Sequence, residues 1–185
     1  MSTSRIETWI QPGYELLGAE GIDRIKIERL ARILKLNKSG FYHYFGNMRS
    51  YIEALLQYHI SMAKRVATEI ADTRNIDPDL LQLIVKHKSF FLVESQLLVK
   101  SRPAPGYTNI NEAGKIINKE LLALWKNTQG LPDDMSVAHG YLNIIRHFVY
   151  ARIDTDNISY EFLHKLSVEI KEVLERTLRE KNIGP

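Results

Sequence analysis

The chain has 185 residues, 44% of them hydrophobic and 25% charged, enough for one good core or for a small head on a larger body. It holds no cysteine, which excludes disulfides, a thiol nucleophile and cysteine-ligated zinc; with no signal-like or membrane-length apolar run, a cytoplasmic location is expected. The net charge of +3 is unevenly spread: from Arg24 to Arg49 seven Lys/Arg stand against one acid, Glu28, and the remainder sums to −3 from 18 basic and 21 acidic residues, so that segment suits a polyanion.

The pattern is helical nearly throughout, with no alternation long enough for a sheet, no internal repeat and no low-complexity tract. The expected fold is all-α. A three-helix helix-turn-helix head over residues 1–47 precedes a larger helical body over residues 48–185, with about eight helices in all. The first helix ends near Gly18. Pro12-Gly13 falls in its middle, so the helix either begins at Pro12 or is kinked there. The second helix runs from Ile27 to Leu34. Ile27, Leu30, Ala31 and Leu34 share its inward face, and Arg29, Arg32 and Lys35 face outward. A short turn, KLNK, leads into a third helix from about Lys38 to Tyr44.

That third helix carries four aromatic rings and a histidine in five consecutive residues, Phe41 to Phe45. Phe41 and Phe45 lie four apart and can pack on Ile27, Leu30 and Leu34, which leaves Tyr42 and His43 pointing away. Lys38 and Ser39 sit at the helix N-terminus, where orphan N–H groups and the dipole favour an anion. Gly40 lets a phosphate backbone come close. Asn47 is a good N-cap for the fourth helix, with Tyr51, Leu55 and Tyr58 on one stripe.

From Trp9 to Leu56 these residues resemble the TetR family of bacterial transcriptional regulators. The resemblance rests on Tyr14-Glu15-Leu16-Leu17, then Gly21, then KIERLARILKLNKSGFYHYFGNMRSYIEALL. It implies a recognition helix in the major groove, opened by Lys38, Ser39 and Gly40. Tyr42 then reaches bases or phosphate, His43 lies beside it, and Tyr44 matches a phosphate-contact position. Three positions depart from the family pattern. Lys26 stands where a Thr or Ser usually caps the second helix and touches phosphate. Gly40 often reads Thr. Met48 stands where a lysine often contacts phosphate, with Arg49 next door. The implied DNA-contacting set is Lys26, Arg29, Lys38, Ser39, Gly40, Tyr42, His43, Tyr44, Asn47 and Arg49. Counterion release by the basic residues supplies salt-dependent affinity, and Lys38 and Tyr42 are the long side chains best suited to reading bases.

In the body, helices are expected at about Met48–Asp72, Pro78–Val99, Asn109–Asn127, Pro132–Ile153 and Ser159–Asn182. The last carries a stripe of Phe162, Leu166, Ile170, Val173 or Leu174, and Leu178. The one before it offers Val137, Tyr141, Ile144, Ile145, Phe148 and Val149. One body of this size does not cover both stripes, and the resemblance pairs the last two helices with their symmetry mates. A two-fold homodimer on a near-palindromic double-stranded DNA operator follows, its heads roughly 34–36 Å apart. The resemblance also implies a small-molecule effector, and the candidate lining is His87, Phe90, Phe91, Glu94, Trp125, Tyr141, Arg146 and His147.

No Gly-rich phosphate loop, H-E-x-x-H or G-x-S-x-G is present. Glu161-x-x-His164 has the spacing of half a di-iron site, but no second such pair exists, so it reads as a helix-surface pair. No metal, cofactor or catalytic residue is expected. The function expected is a DNA-binding regulator, a repressor released by a ligand. The rival is a helical protein that binds a small molecule or a partner and carries an idle head.

Overall fold

A computed structural model of the chain describes residues 5–100, 111–129 and 135–181. Among the described residues there is no strand and there are nine α-helices: α1 Glu7–Glu20, α2 Ile27–Leu34, α3 Lys38–Phe45, α4 Met48–Ala71, α5 Leu81–Lys86, α6 Lys88–Ser95, α7 Glu112–Gln129, α8 Met135–Arg152 and α9 Tyr160–Lys181. The expected breaks at Ser101–Tyr107 and, beyond Gln129, at 130–134 lie outside the described residues, as do the expected helix limits at Asn109, Pro132 and Asn182 and the side chains of Leu174 and Leu178.

Two expectations about helix limits change. Of the two alternatives at Pro12, a helix start is ruled out, because α1 runs from Glu7 through the proline to Glu20. The single helix expected over Pro78–Val99 is two, which raises the count above eight. The backbone leaves helical geometry at His87 (φ −105°, ψ 31°), separating α5 from α6. Wider helical turns at Ile76–Leu80 and Gln96–Lys100 flank the pair. The physical reason lies in burial. All six residues from Phe90 to Ser95 are buried, so α6 is covered on every side and shows no stripe that could mark its limits.

The head follows from its periodicity. Ile27, Leu30 and Ala31 of α2 are buried, with Leu34 half-buried. The chain leaves α2 through Lys35 in the left-handed region (φ 54°), where the Leu36 N–H bonds the Ala31 carbonyl at 2.9 Å and closes the last turn. From α3, Phe41 (0% exposed) and Phe45 (9%) enter the core. The Phe41 ring meets Trp9 edge-on at 5.5 Å and Tyr51 at 5.0 Å, and Phe45 meets Tyr51 at 4.8 Å. Gly46 (φ 71°) makes the turn after α3 in a conformation that L side chains rarely adopt. Asn47 then caps α4: its side-chain oxygen accepts the Ser50 N–H at 2.9 Å, a bond worth about 1 kcal/mol.

Helix α4 runs through two apolar clusters. Its first half, to Leu56, packs with α1, α2 and α3, and Val93 and Leu97 complete that core. From Ile60 onward it packs with the body, chiefly along α7. Helix α6 lies against α1 and is covered from the other side by α8, while α9 packs on α5 and the turn before it. The loop before α9 is held by Asp154, whose carboxylate accepts the N–H groups of Asp156 and Asn157, both at 2.9 Å.

Candidate nucleic-acid interface and body cavity

The core that Phe41 and Phe45 close fixes which way the rest of α3 points. Lys38, Ser39, Tyr42 and His43 are all exposed, Tyr42 to 51%. Tyr44 is half-buried at the edge of the head core. A Cβ on Gly40 would meet only Trp9 Cζ2, at 3.9 Å, so no contact inside the protein requires glycine there. Asn37, at the start of α3, makes no side-chain cap. The α3 N-terminus thus presents N–H groups and a cation to solvent on one face.

Of the other candidate contacts, Lys26 and Arg49 are exposed and Arg29 is half-buried. Asn47 spends its side-chain oxygen on the α4 cap. Several cations already face internal carboxylates. Arg29 grips both oxygens of Glu20, which lowers the Glu20 pKa through the hydrogen bonds and the charge. Lys38 lies 3.2 Å from Glu28. The Glu28 carboxyl is held below its ordinary value by its own backbone N–H first and by Lys38 second. Arg49 lies 3.2 Å from Glu53, one turn on. Exposed pairs of this kind are weak and are screened by salt. Lys26, Arg32 and Lys35 form no ion pair among the described residues.

In the body, a cavity of about 430 Å³ opens between α5, α7, α8 and α9, within the size range of ligand sites. Phe91, Trp125 and Arg146 line it. The other candidates lie elsewhere. His87 Nε2 sits 3.0 Å from Glu69 Oε2 and does not line the cavity. His147 is exposed and bonds the Asn143 carbonyl at 2.8 Å. Tyr141 is half-buried away from the cavity. Phe90 and Glu94 belong to a buried group behind the wall. Glu94 Oε1 lies 2.9 Å from His59 Nε2, the Tyr14 hydroxyl lies 2.6 Å from His59 Nδ1, and Phe90 stacks on the His59 ring at 4.7 Å. Burial, then the Glu94 charge, raises the Tyr14 hydroxyl well above its ordinary value.

Sequence reasoning missed His59, Tyr14 and Tyr150. His59 had a signal: it interrupts the apolar stripe of Leu55, Leu56, Ile60 and Ala63 on α4. His164 pairs not with Glu161 but with Asp77, at 2.6 Å, across 87 residues of sequence. Among the described residues no group of three or more His, Asp or Glu could hold a metal, and no helix is long and apolar enough to cross a membrane.

Comparison with known proteins gives one match. Residues 10–55 fit the family model described as bacterial regulatory proteins, tetR family. No curated protein and no solved structure matches the chain. The matched stretch takes in most of α1, all of α2 and α3, and the first turns of α4, which is the scaffold of the exposed face just described. The chain therefore carries the DNA-binding helix-turn-helix head of the tetR family of bacterial transcriptional regulators.

Proposed function

We propose that this protein is a homodimeric repressor in the bacterial cytoplasm. Residues 1–47 contact a near-palindromic operator, and residues 48–185 hold the dimer and a small-molecule effector that releases the DNA. The observation that carries this reading is the division of labour within α3. Phe41 and Phe45 anchor it, and Lys38, Ser39, Tyr42 and His43 face solvent beside Lys26, Arg32 and Lys35. For dimerisation, Leu163 and Leu166 of α9 are covered by their own body, but Ile144 of α8 stays 68% exposed and Val168 of α9 43%. Apolar residues so placed on the last two helices suit a second copy of the same surface. An effector that prefers a head spacing unsuited to the operator shifts the population away from the DNA-binding state, and DNA weakens effector binding by the same factor as the effector weakens DNA binding.

Fluorescence anisotropy with DNA from upstream of the gene, across a salt series, tests this. Binding by a dimer should fall steeply with salt as phosphate contacts release counterions. Lys38→Ala and Tyr42→Ala should each reduce binding to a weak, sequence-independent residue. A folded dimer that ignores both this region and a random genomic pool at low salt would mean that the head is idle. The body would then be the functional part, as in the rival reading.

A further inference from the structure

The cavity is apolar over most of its wall, through Phe91, Trp125, Leu142, Ile145, Val149 and Leu163, and two of its polar residues stand together on α8. These are Arg146 and Tyr150, a turn apart. Arg146 spends one terminal nitrogen on Asn118 Oδ1 at 2.6 Å, while its Nε is buried with no partner. The Tyr150 hydroxyl is also buried with no partner, on a residue only 3% exposed. Two buried donors left unbonded are costly, and a ligand that accepts from both removes the penalty. The one carboxylate among the described lining residues is already engaged. Asp77 accepts from Tyr160 at 2.8 Å and from His164 at 2.6 Å. The other charge on the wall is a second cation, Lys171. Glu94, the one nearby carboxylate with an unbonded oxygen, does not line the cavity. A Cβ on Gly114 would lie 3.3 Å from that oxygen and 3.1 Å from Arg146 Nη1, so Glu94 and the guanidinium both flank Gly114 without forming an ion pair.

We propose that the cavity takes a small organic acid, with its apolar body against Phe91 and Trp125 and its carboxylate on Arg146 Nε and the Tyr150 hydroxyl. The assignment rests on the effector reading above and names the chemical class of that effector. A buried charge-assisted pair gives orientation as well as affinity, because the neutral analogue leaves the same donors half-satisfied.

Calorimetric titration of the full-length protein tests it with octanoate and phenylpropionate, their primary amides and the corresponding amines. The acids should bind about tenfold or more tightly than the amides. Arg146→Gln should bring the acids down to the level of the amides without moving the amides, which also reports that the cavity is intact. Arg146→Lys should keep part of the preference, and Tyr150→Phe should cost the acids several-fold. Amides or amines that bind as tightly as acids overturn the proposal, as do acids indifferent to Arg146→Gln. No binding by any probe at millimolar concentration also overturns it. The same probes added to the protein–DNA complex separate the two readings. Acids that bind but leave the complex intact sink the effector role and keep the acid site. Release by amides or amines alone does the reverse.

Discussion

A His59→Leu variant should lose about 2–5 kcal/mol of unfolding free energy at neutral pH, read from denaturant melts, because two buried polar groups lose their partner. Leucine fits the apolar surroundings, so the loss comes from the partners left behind. His59 bridges the two groups: its Nε2 lies 2.9 Å from the Glu94 carboxyl and its Nδ1 2.6 Å from the Tyr14 hydroxyl, which satisfies both ring nitrogens. Removing the ring strands the Glu94 carboxylate, 0% exposed, with neither oxygen bonded, and strands the Tyr14 hydroxyl as well. Combining His59→Leu with Glu94→Leu should recover more than half of the loss, because the buried carboxyl is the costlier of the two groups to leave without a hydrogen bond. A single-variant loss below about 1 kcal/mol would show that the network is not satisfied in this way.

Gly13→Ala should destabilise the protein although it sits in a helix, where alanine is ordinarily favoured by about 1 kcal/mol. A Cβ there would fall 1.7 Å from the Tyr51 hydroxyl and 2.8 Å from its ring carbon Cζ. That hydroxyl is buried and donates to the Trp9 carbonyl at 2.7 Å, and burial raises its pKa, so it stays protonated as a donor. The Tyr51 ring cannot retreat freely, since Phe41 and Phe45 pack on it. Overpacking and a lost buried hydrogen bond together outweigh the helix gain, for a net loss of about 2–3 kcal/mol. Tyr51→Phe removes the nearest clashing atom, so the double variant should be more stable than the sum of the two singles. Strict additivity in thermal melts would place the strain somewhere other than this contact.

The parts of the fold legible in the sequence are those where one face is buried and a cap marks the end. Helix α2 was bounded by its four-residue apolar stripe, and α4 by Asn47 before its first turn. The outward set of α3 could be read because Phe41 and Phe45 are one turn apart, which decides where every residue between them points. Periodicity is silent where a helix is covered all round, as at α6, and it names a face without naming what the face meets. Hence Phe91, Trp125 and Arg146 could not be told from His87, Tyr141 and His147. Nor could the partners of Glu94 be found, since Tyr14, His59 and Glu94 are brought together across 45 and 35 residues of chain.

The seam between the two apolar clusters runs through α4, between Leu56 and Ile60, and Val93 and Leu97 reach across it into the head. The head is therefore not an interchangeable module. A chimera that joins a foreign head to this body after residue 47 would set unfamiliar side chains against Leu55, Val93 and Leu97, inviting voids or clashes at the joint. On the function proposed above, retargeting to a new operator calls for rewriting positions 38, 39, 42 and 43 alone. Those side chains point outward, and their replacement leaves the shared interior as it is.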